Sequence, residues 1–217
     1  MRVVDEEAIA RHAAVRFRSE YHYALFEYWR SAKLLRYLER AGITKLGQVL
    51  DDGCGGGGMC ISVAEETDHV VGIDLSDRFN NAGTRLAKEL QTPNITFAQA
   101  NGSHLPFPDR TFDTVLSHAV IEHVSDYEGY LREARRVMRP DGRMFLQTAP
   151  YLSPHGSHLP RLKVPIPLHL VIGRRAAFAT SRWIATHQPT WLEAPPFRES
   201  TSVPHKPNSP IGLPFGP

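Results

Sequence analysis

Two rhythms of apolar positions run along the first two thirds of the chain. Over residues 6–40 the apolar residues Leu25, Phe26, Trp29, Leu34, Leu35 and Leu38 recur near a 3.6-residue spacing. That spacing predicts helix, with a break near Ser19 and a stop at Gly42. Short apolar runs then take over. Residues 48–52 read as a strand that runs into glycines, 69–75 (HVVGIDL) as a second, 94–100 as a third, 112–117 (FDTVLS) as a fourth and 143–149 (RMFLQTA) as a fifth. Helical stretches separate them at 59–66, from a Ser76 cap to about Leu90, and from an Asp126 cap to Met138. Pro140-Asp141-Gly142 reads as a turn into the fifth strand. Strands alternating with helices predict an α/β fold with a doubly wound, mostly parallel sheet covered on both faces. Ligands of such sheets bind beyond the carboxyl ends of the strands.

Composition divides the chain. Residues 1–150 carry 18 Lys/Arg against 21 Asp/Glu, whereas residues 151–217 carry 7 against 2 and hold 12 of the 17 prolines. Proline fixes φ and removes a donor, so the last third is expected to be an irregular, Pro-rich arm. The expected organisation is an N-terminal helical cap (1–45), a compact core (46–150), a lid or arm with one helix (151–187) and a disordered tail (188–217). A sixth and seventh strand are not legible. The totals of 25 Lys/Arg and 23 Asp/Glu are too balanced to argue for a nucleic-acid partner. Two cysteines exclude a disulfide scaffold and fit a reducing, cytoplasmic compartment. Residues 159–185 mix apolar side chains with Arg161, Lys163, Arg174, Arg175 and Arg182, a pattern that suits a lid, a membrane surface or a lipophilic acceptor.

The chemistry concentrates behind the strands. Asp51 and Asp52 lead into Gly53-Cys54-Gly55-Gly56-Gly57-Gly58, which satisfies G-x-G-x-x-G between a strand and a helix. Asp74 closes the second strand, where an acid can accept hydrogen bonds from ribose hydroxyls. Together these point to an adenosine-bearing ligand, either a nicotinamide dinucleotide or S-adenosylmethionine. Asp51 weighs against a pyrophosphate and for a ligand carrying an ammonium. Asp52, on the opposite face of the strand, needs solvent or a cation, such as a helix-borne Arg.

The strings VLDDGCGGGG (49–58), IDLS (73–76), ANGSHLPFPDRTFDTVLSHAVIEHV (100–124) and RVMRPDGRMFL (136–146) stand in order at compatible spacings. In this they resemble class I S-adenosylmethionine-dependent methyltransferases, in particular the small-molecule, type 11-like branch. The resemblance implies a Rossmann-like fold, S-adenosylmethionine as cofactor and a small-molecule acceptor. It implies that Gly53, Cys54, Gly55 and Gly57 shape the methionine end and that Asp51 lies near the ammonium. Asp74 would hold the ribose, Leu75 would pack on adenine, and Asn101 and Gly102 would meet its edge. Ser117 and His118 would border the sulfonium. His118 and His123 are the catalytic candidates, because only an acceptor that carries a proton needs a base. Asn101 stands where the family usually has Asp, and Asp52 where a small or apolar residue is usual. No metal site is expected. The competing readings are a nicotinamide-dependent oxidoreductase and a cofactor-binding remnant without turnover.

Overall fold

The computed structural model describes residues 3–148 and 171–187. Three helices open the chain: α1 (Glu6–Val15), α2 (Glu20–Arg30) and α3 (Ala32–Arg40). Asp5 and Ser19 cap the first two by accepting from the N–H groups of Ala8 and His22. The periodicity runs unbroken through Ser31, but the structure breaks there. Its hydroxyl bonds back to the Glu27 carbonyl at 2.7 Å, so it caps nothing at the start of α3.

Five strands follow: β1 (Gln48–Asp52), β2 (His69–Asp74), β3 (Ile95–Gln99), β4 (Phe112–His118) and β5 (Met138–Gln147). They form one sheet in the order β3-β2-β1-β4-β5 with every pairing parallel, the doubly wound arrangement expected. Between them lie α4 (Gly58–Ala64), a 3₁₀ turn at Arg78–Asn80, α5 (Gly83–Glu89), a second 3₁₀ turn at Ile121–His123, and α6 (Tyr127–Val137). A separate compact unit contains α7 (Arg174–His187), in which Trp183 stacks on His187 at 4.9 Å between ring centroids. No helix among the described residues is long and apolar enough to cross a membrane. Residues 149–170 and the tail 188–217 lie outside the described residues, and with them most of the expected arm.

Alternation along the buried strands sends side chains to two cores. Val49 and Val70 join Leu35, Leu38, Cys60 and Val63 on the side of α3 and α4. Leu50, Val71, Ile73 and Val115 join Phe107, Phe112, Ala134 and Val137 on the side of α6. Each such aliphatic side chain contributes roughly 1.5–3 kcal/mol by leaving water. A third cluster of Ala24, Tyr28, Ile61, Ala82 and Leu86 packs α2 on α4 and α5. The aromatic face of α2 thus packs on α4 and α5, with Ile95 and Phe97 of β3 against the same cluster.

Two local expectations are corrected. Ser76 does not cap a helix. Its N–H and hydroxyl both donate to Asp74 Oδ1, at 2.9 and 2.8 Å, so the chain makes a 3₁₀ turn and α5 starts only at Gly83. Pro140-Asp141-Gly142 is not a turn ahead of the strand. Pairing begins at Met138 opposite Phe112 and resumes at Arg143 opposite Thr114, so residues 139–142 bulge out of β5. Proline has no N–H for the ladder, which makes a bulge the natural place for Pro140.

Candidate cofactor site

The sheet order reverses at β1, and the glycine loop leaves β1 at that point. The backbone N–H groups of Gly53 and Cys54 both donate to the Ile73 carbonyl at 2.8 Å, tying the loop to the end of β2. Gly53, Gly55 and Gly57 have φ of 95°, 54° and 81°, values that glycine adopts without cost. A Cβ on Gly53 would fall 2.2 Å from Val120 Cγ2, and one on Gly57 2.6 Å from the Phe97 ring. At Gly55 the nearest atom to such a Cβ is Arg78 Nη2 at 3.7 Å, so this part of the loop presents open backbone. Gly58 serves packing: its Cβ would lie 2.0 Å from the Ala24 carbonyl oxygen, because α2 rests directly on the start of α4.

Asp74 is half-buried and preorganised. Its Oδ2 accepts the Gly55 N–H at 2.9 Å, while Ser76 holds Oδ1. Each oxygen keeps a second acceptor position for a ligand hydroxyl. Beside it Leu75 is 63% exposed, an apolar surface at the mouth of the sheet. Its carbonyl accepts from Gln99 Nε2 at 2.6 Å, which fixes that lip.

Asp51 and Asp52 are both buried, and burial pushes each carboxyl up to about 7. Asp51 faces α4, where the Cys60 thiol donates to its Oδ2 at 3.0 Å. Its Oδ1 has no partner. Asp52 faces α6 and finds neither solvent nor an arginine, contrary to the requirement read from the sequence. It lies under Gly102, whose Cβ would meet both its oxygens at 2.5 and 2.6 Å, and beside the Tyr130 hydroxyl. That hydroxyl donates to Ser117 Oγ at 2.8 Å. Glycine at 102 is therefore what leaves room for a carboxylate at 52.

Asn101 turns its side chain on its own loop: Oδ1 accepts the Ser103 N–H at 2.9 Å. The loop is clamped from outside by Arg136 of α6. Its guanidinium donates to the carbonyls of Leu105 and Phe107 at 2.9 and 2.7 Å while paired with Glu133 at 2.8 Å. Glu133 in turn accepts the Leu105 N–H at 2.8 Å. This clamp fixes where Asn101 and Gly102 stand.

The two β4 candidates point to different sides. Ser117 is buried toward α6, its hydroxyl taken by Tyr130. His118 points toward α2, with Nε2 3.4 Å from Arg30 Nη2. Burial, then the Arg30 charge, lowers its pKa, so the ring is neutral near pH 7. Ala119 follows with φ of 57°, a left-handed turn unusual for a residue with a Cβ, and it carries Val120 onto Gly53. His123 lies on the 3₁₀ turn beyond, with its side chain exposed. Among the described residues no cluster of three or more metal-ligating side chains occurs.

Sequence reasoning missed Glu27 and Tyr130 as neighbours of the site. Glu27 of α2 pairs with Arg30 at 2.9 Å through Oε2, while its Oε1 is buried without a partner. The available signal was an acid one turn before Arg30 on an aromatic helix, which alone does not say which way the helix faces.

The parallel sheet, the open glycine loop at its switch point and the anchored acid after β2 define a domain that takes an adenosine-bearing cofactor. Residues 50–146 match the family model described as a methyltransferase domain. The demethylmenaquinone methyltransferase of Tropheryma whipplei (strain Twist) is 38% identical over 117 residues, 54% of this chain and 46% of that protein. The uncharacterized methyltransferase YcgJ of Bacillus subtilis (strain 168) is 31% identical over 123 residues, 54% of this chain and 49% of that protein. The chain thus spans about half the length of the curated relatives it matches. A solved methyltransferase from Aquifex aeolicus shares the fold, with a TM-score of 0.53 over 80% of this chain and 87% of that one at 18% identity. The residues present fit S-adenosylmethionine, since the orphaned Asp51 oxygen suits its ammonium and the open backbone at Gly55 leaves room for its chain.

Proposed function

We propose that this protein transfers the methyl group of S-adenosylmethionine to a small-molecule acceptor. One observation carries the reading. At the switch point an open glycine loop meets Asp74, tied to Gly55, and Asp51, whose Oδ1 lacks a partner. A buried carboxylate without a partner is costly beside a pyrophosphate and is relieved by an ammonium. When bound, the cofactor supplies a methyl on a sulfonium, already an excellent leaving group. The chain's own work is alignment. Gly53, Cys54, Gly55 and Gly57 shape the methionine end through backbone atoms. Asp74 accepts from the ribose, Leu75 flanks the adenine, and Asn101 and Gly102 meet its edge. Ser117, through its backbone, and His118 border the reacting centre.

For an acceptor with an O–H or N–H, His118 is the candidate base, and Arg30, which can only donate to Nε2, must release that atom for it to take the displaced proton. The neighbouring Arg30 charge and burial keep that atom unprotonated until the acceptor arrives. His123, exposed on its turn, is the weaker candidate for this role. The Tropheryma whipplei relative is named for demethylmenaquinone, and a quinol or other ionisable hydroxyl is an acceptor class that a neutral histidine can serve. Nucleic acid is a poor fit, given the excess of acid over base in residues 1–150. We place the reaction in the cytoplasm, in keeping with two free, buried cysteines.

Calorimetric titration with S-adenosylhomocysteine, with NAD as control, tests the cofactor. Binding of the homocysteine product alone is expected. Binding of NAD replaces the reading with an oxidoreductase. Binding of the product with no methyl transferred from labelled cofactor to any of a panel of phenols, quinols and amines replaces it with a non-catalytic binder.

A further inference from the structure

Of the carboxylates near the end of β1, Asp51, Asp52 and Glu27 each have a buried oxygen without a hydrogen-bond partner; Asp52 lies on the α6 face, and the other two lie on the α2–α4 side. Asp51 Oδ1 is buried without a hydrogen-bond partner on a side chain with no solvent exposure. Glu27 Oε1 is likewise buried without a partner, on a side chain 15% exposed. They arrive from different elements, Asp51 from the end of β1 and Glu27 from α2. α2 is pressed onto the loop, with Glu27 Cβ 2.8 Å from the place a Gly58 Cβ would occupy. The two acids are close enough for the charge of Glu27 to disfavour ionisation of Asp51, and Asp74 adds to the same repulsion. The rest of both groups is engaged: Asp51 Oδ2 by the Cys60 thiol, and the Glu27 carboxylate by Arg30 at Oε2 and by the Tyr23 hydroxyl. Two buried acceptors of like charge on one side of β1 are relieved by a cation with several donors.

We propose that Glu27 is a cofactor-binding residue, which with Asp51 forms a two-carboxylate subsite for the α-ammonium of the methionine moiety. This rests on the reading of the site as an S-adenosylmethionine site. A primary ammonium offers three N–H donors, enough to serve both orphaned oxygens and one more acceptor. The arrangement also gives the N-terminal helices a direct part in cofactor binding. Glu27 couples to His118 as well, so the ammonium, once seated, changes the field at the histidine beside the reacting centre.

The test compares two probes on the full chain: S-adenosylhomocysteine, and 5′-deoxy-5′-methylthioadenosine, which keeps the adenosine and thioether but lacks the amino acid. Calorimetry on Glu27→Gln is expected to show affinity for the first probe falling about tenfold to a hundredfold, the range for a hydrogen bond to a charged group. Affinity for the second is expected to stay within about twofold. Asp51→Asn is expected to behave alike, and Glu27→Asp, which keeps the charge but retracts it, to lose less than Gln. Equal loss on both probes makes Glu27 a structural residue and overturns the proposal, as does no loss on either. If Glu27→Gln does not fold, Glu27→Asp decides on the same contrast. Wild-type protein that melts cooperatively yet binds neither probe overturns the cofactor reading itself, which is a different result from wild-type binding that ignores Glu27.

Discussion

Asp51 and Asp52 are neighbours on one strand, equally dry and both pushed up to about 7 by burial. They differ in what they face. Asp51 looks to the α2–α4 side, where one of its oxygens is left bare among other acids. Asp52 looks to the α6 side, where Tyr130 and Ser117 are hydrogen-bonded to each other beneath Gly102 and Asp52 Oδ2 is left without a partner. A perturbed carboxylate therefore does not by itself mark a binding site. Each keeps one buried oxygen without a hydrogen-bond partner, Asp51 Oδ1 and Asp52 Oδ2; what separates the two sides is that Gly102 and Tyr130 cover Asp52, whereas Asp51 faces the charges of Glu27 and Asp74. The α2–α4 side is built to receive something, and the α6 side is built to hold the loop that carries Asn101.

The strongest way to break this comparison is to cut the link between the loop and its acid. Asp74→Ala removes the acceptor that holds the Gly55 N–H and would hold the ribose. Affinity for S-adenosylhomocysteine should fall by about a hundredfold, as expected when charge-assisted bonds to a buried partner are lost. A titration giving wild-type affinity removes Asp74 from the site. Next in size is Gly58→Ala. A methyl there would sit 2.0 Å from the Ala24 carbonyl oxygen, so α2 must move off α4. Alanine gains up to ~1 kcal/mol of helix propensity, yet overpacking against backbone should win and cost roughly 1–3 kcal/mol in urea unfolding. A more stable variant would show that α2 does not press on the glycine loop.

The pH dependence sharpens the contrast further. Both acids ionise less readily folded than unfolded, so between about pH 4 and pH 7 the native state binds more protons. Stability of the free protein should then fall as pH rises through that window and level off above it. Asp52→Asn should flatten part of this slope, leaving the variant more stable than wild type at pH 8 and equal to it below pH 4. It should bind S-adenosylhomocysteine normally. Asp51→Asn should flatten the slope as well but lose the ligand. The groups that set Asp51 are Cys60 from α4, Glu27 from α2 and Asp74 from β2, and those that set Asp52 are Tyr130, Asp51 and Asp74. Denaturation curves at three pH values, with and without ligand, separate the two acids. Identical behaviour of both variants toward the ligand would erase the distinction.

Local signals carried the strands, the glycine loop and the acid at the end of β2, because each is written in consecutive residues. The apolar run ending in Asp51-Asp52 before a loop of five glycines needs no distant partner to be read. Even the opposite facing of the two acids followed from strand alternation alone. What stayed hidden depends on contacts across the fold. Nothing near Asp52 in sequence names Tyr130, which arrives from a helix after β4. Ser76 looked like a cap because its type suits one, and the competing bond to Asp74 two residues away took it. Glu27 was invisible for a similar reason: its meaning comes from α2 lying on Gly58, and Gly58 looked like a cofactor glycine when its work is helix packing.

The smallest expected effect belongs to Tyr130→Phe, and it tests the quiet side of the comparison. The substitution keeps the ring that packs under Gly102 and deletes only the hydroxyl that donates to Ser117 and lies beside Asp52. Ser117 would lose a buried donor and Asp52 the group that favours its ionised form, so Asp52 should ionise still less readily. The cost in stability should be about 1 kcal/mol, the usual net worth of one such hydrogen bond, and larger at pH 8 than at pH 5, because the one Tyr130 proton can turn from Ser117 to Asp52 once Asp52 is ionised. Affinity for S-adenosylhomocysteine should not change, since the Tyr130–Ser117 bond lies on the α6 side of β1. A tenfold loss of affinity without a change in melting temperature would mean that the α6 side touches the cofactor after all. The two faces of β1 would then form one continuous site instead of a binding side and a supporting side.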